Sequence, residues 1–302
     1  MTHLSILSPH PFLCSLKLQL PPSLPGRGRG WVFFGWVFLF LLVNCDTVAA
    51  QTRPVSHAIL FGLGATRQQD TYLSPLQYKG TQIQFLYETL RPTRLLKKHV
   101  SSQAILQADF SYTHSPAENA DYLGAAIHYD HAWHYNWQLH SFRVMAGPQI
   151  GATLGGLYNT RNGNNPAQAR ASIRISASVA ALYNFRLWKQ PFTLREQLDM
   201  PLVGISFSPA YGQSYYELFS LHHYDHNIRP TTPFNAPSLR SLLTLDIPFR
   251  RSTLRAAYLF HVQQSRLNHI RQHTYTHAFL IGYVRHLNIV HPRRSTPEGF
   301  VL

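Results

Sequence analysis

Five consecutive residues, His222-His223-Tyr224-Asp225-His226, put three imidazoles and a carboxylate into one short stretch. Neutral imidazole and carboxylate are zinc and copper ligands, so a loop that gathered His222, His223, Asp225 and His226 could hold a transition metal. The stretch lies in a long polar segment beside Tyr215 and Tyr216. The plainer reading is an exposed loop with incidental histidines, and neither a metal nor a cofactor is expected. Asp70, Asp121, Asp225 and His226 are acid–base candidates for a catalytic rim, but no local motif unites them. No serine–histidine dyad stands out among so many serines and histidines. Catalytic residues are therefore left unassigned, and enzymatic activity is not the favoured expectation.

A second set of charged residues has a regular setting. Glu88, Asp109, Asp130, Asp199 and Asp246, with Arg143, Arg174, Arg195, Arg240 and Arg255, all occupy the polar phase of alternating segments. If that phase faces the inside of a narrow barrel, unpaired charge there is costly and opposite signs must pair. The expectation is a charge network that latches the lower lumen and leaves no wide permanent pore. Glu196 breaks the scheme, because it sits in the apolar phase between Leu194 and Leu198. A bulge or a register error is the expected explanation.

The elements that must position these residues are strands. Between Ser102 and Tyr112 the even positions read Ser, Ala, Leu, Ala, Phe, Tyr and the odd positions Gln, Ile, Gln, Asp, Ser. Between Ala171 and Phe185 the odd positions are apolar and the even ones begin Ser172, Arg174, Ser176, Ser178. Segments near 81–89, 122–133, 142–154, 192–200, 239–247 and 254–263 split likewise. Those near 57–66 and 273–287 are apolar in both phases, which leaves their facing open. The result is an all-β chain, an antiparallel transmembrane barrel of about ten strands with eight to twelve allowed, each long enough to cross a bilayer at a tilt. A soluble periplasmic β-sandwich is the competing fold.

Connections alternate in length. RPTRLLKKHV, HYN, LWKQ and RRS are expected as periplasmic turns; QQDTYLSPLQYKG, HSPAENAD, NTRNGNNPAQAR, the region 206–237 and RLNHIRQ as outer loops. Trp133, Trp137 and Trp188 fall beside the expected periplasmic turns, where interface aromatics belong. Tyr112, Tyr122 and Tyr158 are expected at the opposite rim.

Composition agrees. Charged residues make up 13% of 302, yet hydrophobic residues reach 45% with 13% aromatic. The net charge of +14 is scattered, as in Lys97-Lys98 and Arg250-Arg251, with no dense basic tract, so anionic lipid headgroups fit better than nucleic acid. Residues 31–44 form an apolar run after Arg27 and Arg29, followed by Val48-Ala49-Ala50, the layout of a signal peptide. An uncleaved anchor, or lipidation at Cys45, are the alternatives. The expected organisation is a signal peptide with an overlong leader over 1–50, a barrel over 52–290 and a short tail over 291–302. The expected location is the bacterial outer membrane, reached with the barrel-assembly machinery as a partner in biogenesis.

The runs GLGATRQQDTYLSPLQYKG (62–80), AGPQIGATLGGLYNTRNGNNPA (146–167) and QLDMPLVGISFSPAYGQSYYE (197–217) give the chain a resemblance to uncharacterised outer-membrane barrel proteins of Bacteroidetes. That resemblance implies architecture and location and assigns no catalytic residue. Three roles follow from the whole reading: a non-enzymatic envelope protein whose outer loops bind a ligand or partner, or whose lumen is a narrow charge-plugged channel; a rim-site protease or lipid hydrolase; or a soluble β-protein.

Overall fold

The computed structural model describes residues 55–287, apart from 94, 140, 188–189 and 250–251. The expected export segment, Cys45, Trp188 and the 291–302 tail lie outside the described residues.

Eleven strands follow one another among the described residues: β1 (Val55–Asp70), β2 (Ser74–Pro92), β3 (Val100–His114), β4 (Asp121–Leu139), β5 (Phe142–Asn159), β6 (Ala167–Leu187), β7 (Gln190–Phe207), β8 (Ile228–Thr231), β9 (Ser238–Phe249), β10 (Ser252–Leu267) and β11 (Ile270–Leu287). A short α-helix, α1 (Tyr215–Phe219), precedes β8, and a 3-10 turn (Leu95–Lys98) lies between β2 and β3. Ten of the strands, all but β8, close a ring of antiparallel neighbours. The closing ladder runs from Val55↔Leu287 to Asp70↔Gln272. Closure rules out the two-layer sandwich, whose sheets would leave free edges.

The strand termini Val55 and Leu287 meet at one end, called lower here. The connections at that end join β2 to β3, β4 to β5, β6 to β7 and β9 to β10. At the upper end they span 71–73, 115–120, 160–166, 208–237 and 268–269. Two expected outer loops are therefore mostly strand. QQDTYLSPLQYKG shrinks to a three-residue turn and RLNHIRQ to a hairpin, with Asn268 and His269 at φ 48° and 63°. The expected HYN turn is also strand, because β4 continues to Leu139. The hydrogen-bond ladder runs past the region where side chains must alternate, since a wet outer face tolerates Arg67, Gln69 or Lys79.

The apolar phase faces outward: Phe61, Leu63, Phe110, Leu154, Phe279 and Ile281 are all exposed. Trp133 and Trp137 project from the outer face near the lower end of β4. Tyr112 and Tyr158 face outward near the upper end, but Tyr122 turns inward and stacks on Tyr78 at 3.7 Å.

The inner face is not uniformly polar, as the alternation suggested. Ala58, Leu60, Leu86, Ile105, Leu242 and Leu259 join Ala257, Ala278, Leu280 and Val284 in a buried apolar cluster inside the barrel. This explains why 57–66 and 273–287 are apolar in both phases: one phase faces outward and the other feeds the cluster. A second cluster (Leu73, Tyr78, Ala120, Tyr122 and Leu157) fills the upper lumen beneath the 71–73 and 115–120 turns.

Candidate functional site

The charged residues singled out in the sequence meet across the lumen. Arg195 forks onto Glu88, with Nη1 and Nη2 donating to Oε1 and Oε2 at 2.5 and 2.8 Å. Arg255 donates to the same carboxylate at 2.5 Å and forks onto Asp246 at 2.6 and 2.8 Å. Arg240 joins Asp199 at 2.7 Å to Asp130 at 2.5 Å, and Arg174 donates to the other oxygen of Asp130 at 2.7 Å. The Gln103 and Gln197 amides exchange hydrogen bonds at 2.8 and 3.0 Å. Gln103 also donates to Glu88, and Gln197 to Asp199, so the two halves form one network.

Four carboxylates face four guanidiniums, so the network is formally neutral. Bidentate Arg–carboxylate geometry is the strong form of such contacts. Asp246, Arg255 and Glu88 lie within four residues of the lower ends of their strands, while Asp199, Arg240 and Asp130 sit higher. Asp130, expected low in the barrel, is thus at mid-height. The network ties β2 and β3 to β7 across the barrel and abuts the apolar cluster through Leu86 and Ile105. A cavity of about 10 Å³ touches Asp130, Arg174, Asp199 and Arg240, at the lower limit for a single water. Backbone geometry makes room for the polar half: a side chain at Gly151 would collide with Asp130 Oδ1 and the Arg174 guanidinium.

Two of the ten expected members stand apart. Asp109 pairs with His128 at 3.1 Å. Arg143 stays at the lower mouth, where its Nε donates to Gln138 Oε1 at 3.3 Å, and it makes no ion pair among the described residues. Glu196 corrects the expectation of a bulge. The β7–β9 register is regular from Thr193↔Asp246 to Asp199↔Arg240, so Glu196 does point outward. The Ser241 hydroxyl donates to it at 2.6 Å, which gives this carboxylate a partner on the outer wall.

The acid–base candidates are not brought together. Asp70 lies on the lumen face and pairs with Arg170 at 3.4 Å. Asp121 lies on the outer face, bonded to His114 at 2.8 Å and to the Tyr112 hydroxyl at 3.0 Å. Asp225 and His226 are exposed in the 208–227 segment. In the same segment His222 Nδ1 bonds the Tyr224 hydroxyl at 3.1 Å. Among the described residues no three His, Cys, Asp or Glu side chains gather as a metal site would require.

A serine–histidine contact that the sequence did not single out joins Ser178 Oγ to His134 Nε2 at 2.8 Å. Both residues are 0% exposed, and His134 Nδ1 has no partner. Burial bars substrate, and among the described residues no carboxylate bonds the ring as a catalytic base would need.

The 208–227 segment is bonded across the upper end of the barrel. A capping box starts α1: Ser214 Oγ accepts from Glu217 N at 3.2 Å, and Glu217 Oε2 accepts from Ser214 N at 2.9 Å. The helix sets Tyr215 edge-on to Tyr72 at 6.0 Å. Tyr215 donates to Gln168 Oε1 at 3.0 Å, and Tyr72 donates to Gln213 O at 2.7 Å. Burial, more than any nearby charge, pushes both phenols up to about 12, so they remain neutral donors that pin the loop.

The chain is similar to several solved outer-membrane structures. The outer membrane protease OmpT from Escherichia coli shares 7% identity over 81% of this chain and 100% of its own, with a TM-score of 0.47. The transport unit of the autotransporter AIDA-I from Escherichia coli shares 9% over 83% of this chain and 96% of its own, at 0.43. The COG4313 outer membrane channel from Pseudomonas putida F1 shares 9% over 80% and 98%, at 0.34. None of these likenesses reaches 0.5, and the barrel described above rests on its own strand ladder. No curated protein sequence matches the chain significantly. A family model described as "Protein of unknown function (DUF3316)" matches residues 34–294, and the chain belongs to that family.

Proposed function

We propose that this chain is an outer-membrane barrel with a shut lumen: an envelope protein that acts at its outer mouth and wall, not an enzyme and not an open channel. The observation that carries this reading is the neutral network of four carboxylates and four arginines lying against an apolar cluster inside the ring. Side chains can fill a barrel of this size, and these do so in complementary halves.

Membrane residence is supported by the apolar outer face and by Trp133 and Trp137 at one rim. The 31–44 run with its small-residue Val48-Ala49-Ala50 supports export by a signal peptide. The lower end then faces the periplasm, anionic headgroups meet the scattered positive charge, and the barrel-assembly machinery inserts the chain. The three sequence runs named above support a Bacteroidetes source. The test is gel migration of outer-membrane fractions with and without boiling. The expected result is a protein in that fraction whose unboiled form migrates differently from the boiled form. A periplasmic, soluble protein with no shift would contradict membrane residence.

A further inference from the structure

The wall of the barrel is interrupted at the seam between β7 and β9. The β7–β9 ladder stops at Asp199↔Arg240, and β7 pairs again only at Gly204↔Thr231, with β8. Residues 200–203 therefore have no ladder partner on that side. The sequence explains the break. Pro201, Pro230, Pro233 and Pro237 cannot donate. On the β6 side, Ser176 pairs with Pro201 while its neighbour Ile175 pairs with Val203, so Leu202 is an extra residue that flips the facing of β7. Across the gap, β10 bonds to loop oxygens, Gln264 N to Pro237 O at 2.9 Å and Arg266 N to Asn235 O at 2.8 Å. The outer surface around the gap is apolar: Met200, Leu202, Val203 and Ile205 are exposed, and Phe234 is 98% exposed.

Behind the gap lies a lumen cavity of about 140 Å³, large enough for several waters. Pro201, Ala236 and Ser238 line it at the seam, and Arg170, Arg174 and His261 line it on the lumen side. No carboxylate is among its lining residues, so every ionisable group there is a base. Arg170 donates to Asp70 at 3.4 Å and to Thr274 Oγ1 at 3.2 Å, and its Nε has no partner. Unpaired backbone at hydrocarbon depth is costly unless it lines a polar cavity or meets a polar group.

We propose that this seam is a side portal for an amphiphile with an anionic head. The head sits in the cavity beside Arg170 and Arg174, its polar linkage spans residues 200–203, and its chain leaves over Leu202 and Phe234 into lipid. The proposal rests on the membrane-barrel reading above.

The probe is dodecyl phosphate carrying a diazirine on its chain, titrated into the full-length barrel in maltoside micelles. Inorganic phosphate and dodecanol serve as head-only and chain-only controls. Binding is read by calorimetry, and photolabelled sites are read by peptide mapping. Dodecyl phosphate should bind at least about tenfold more tightly than either control, and Arg170→Gln should weaken it by about tenfold. Labels should concentrate at 200–207 and 232–238. Equal binding of inorganic phosphate would make this a free-anion site and overturn the portal. Labels spread evenly to Phe61 and Phe279 would overturn it too. Phe234→Ala lies on an exposed tip and keeps the test valid should Arg170→Gln misfold: it should weaken the alkyl probe while leaving inorganic phosphate unchanged, and an unchanged alkyl probe would overturn the portal. A sample that shows the boiling-dependent gel shift yet ignores the probe defeats only the portal. A sample without the shift defeats the membrane reading itself.

Discussion

Arg240→Ala should cost the barrel about 3–5 kcal/mol, the usual penalty for breaking a buried ion pair. Among the described residues Arg240 is the sole arginine on Asp199 and one of two on Asp130. Its loss leaves Asp199 with only the Gln197 amide, in a lumen where both residues are buried. The second charge matters as much as the first. Replacing Arg240 and Asp199 together should cost less than the sum of the two single changes, because the residue that the first change strands is removed by the second. Urea midpoints in lipid vesicles, followed by gel shift, measure all three variants. A cost below about 1 kcal/mol for Arg240→Ala would mean that water already solvates the network.

The apolar half of the lumen should respond differently. Leu259 is fully buried inside the ring, in the cluster with Leu60 and Leu242. Leu259→Ala should cost about 2–5 kcal/mol through lost burial and the cavity left behind. Leu259→Met, which keeps the volume, should cost less than about 1.5 kcal/mol. The same urea series checks both. Equal small costs would show that this part of the lumen is loosely filled. Together the two sets of variants separate a lumen closed by ion pairs from one closed by packing.

Much of this was legible before the structure, for a physical reason. Where one face of a strand meets an apolar surround and the other a polar lumen, period-two alternation is forced, and 102–112 and 171–185 showed it plainly. Alternation disappears where both faces are apolar, as at 57–66 and 273–287, so the internal cluster with Leu60 and Leu280 was hidden in the two segments whose facing was open. The polar phase contained Glu88, Asp130, Arg174, Arg195, Asp199, Arg240, Asp246 and Arg255, which meet in the structure. It could not say who pairs with whom, because the partners are set by the tilt and stagger of the ring. Glu88 and Arg255, for example, lie 167 positions apart.

Other features left fainter traces. Gly151 marks the space for the Asp130–Arg174 pair, yet in the sequence it is one small residue among several. Pro201 lies just past the 192–200 segment, at the bulge and the broken ladder. Glu196 was a real exception, and its partner Ser241 lies on a strand distant in sequence. Tyr122 was expected at the rim, but the fold turns it inward onto Tyr78, and Tyr72 and Tyr215 meet edge-on above. Turn lengths were overestimated because hydrogen bonding continues into water-exposed strand ends where hydropathy no longer alternates.

The central claim is that the lumen is shut by side chains. Single-channel recording of the purified full-length barrel in planar bilayers tests it most directly. The account predicts no large, stable conductance steps from the unaltered protein, and their appearance once Arg195, Arg240 and Arg255 are all replaced by alanine. Large stable steps from the unaltered protein would contradict it.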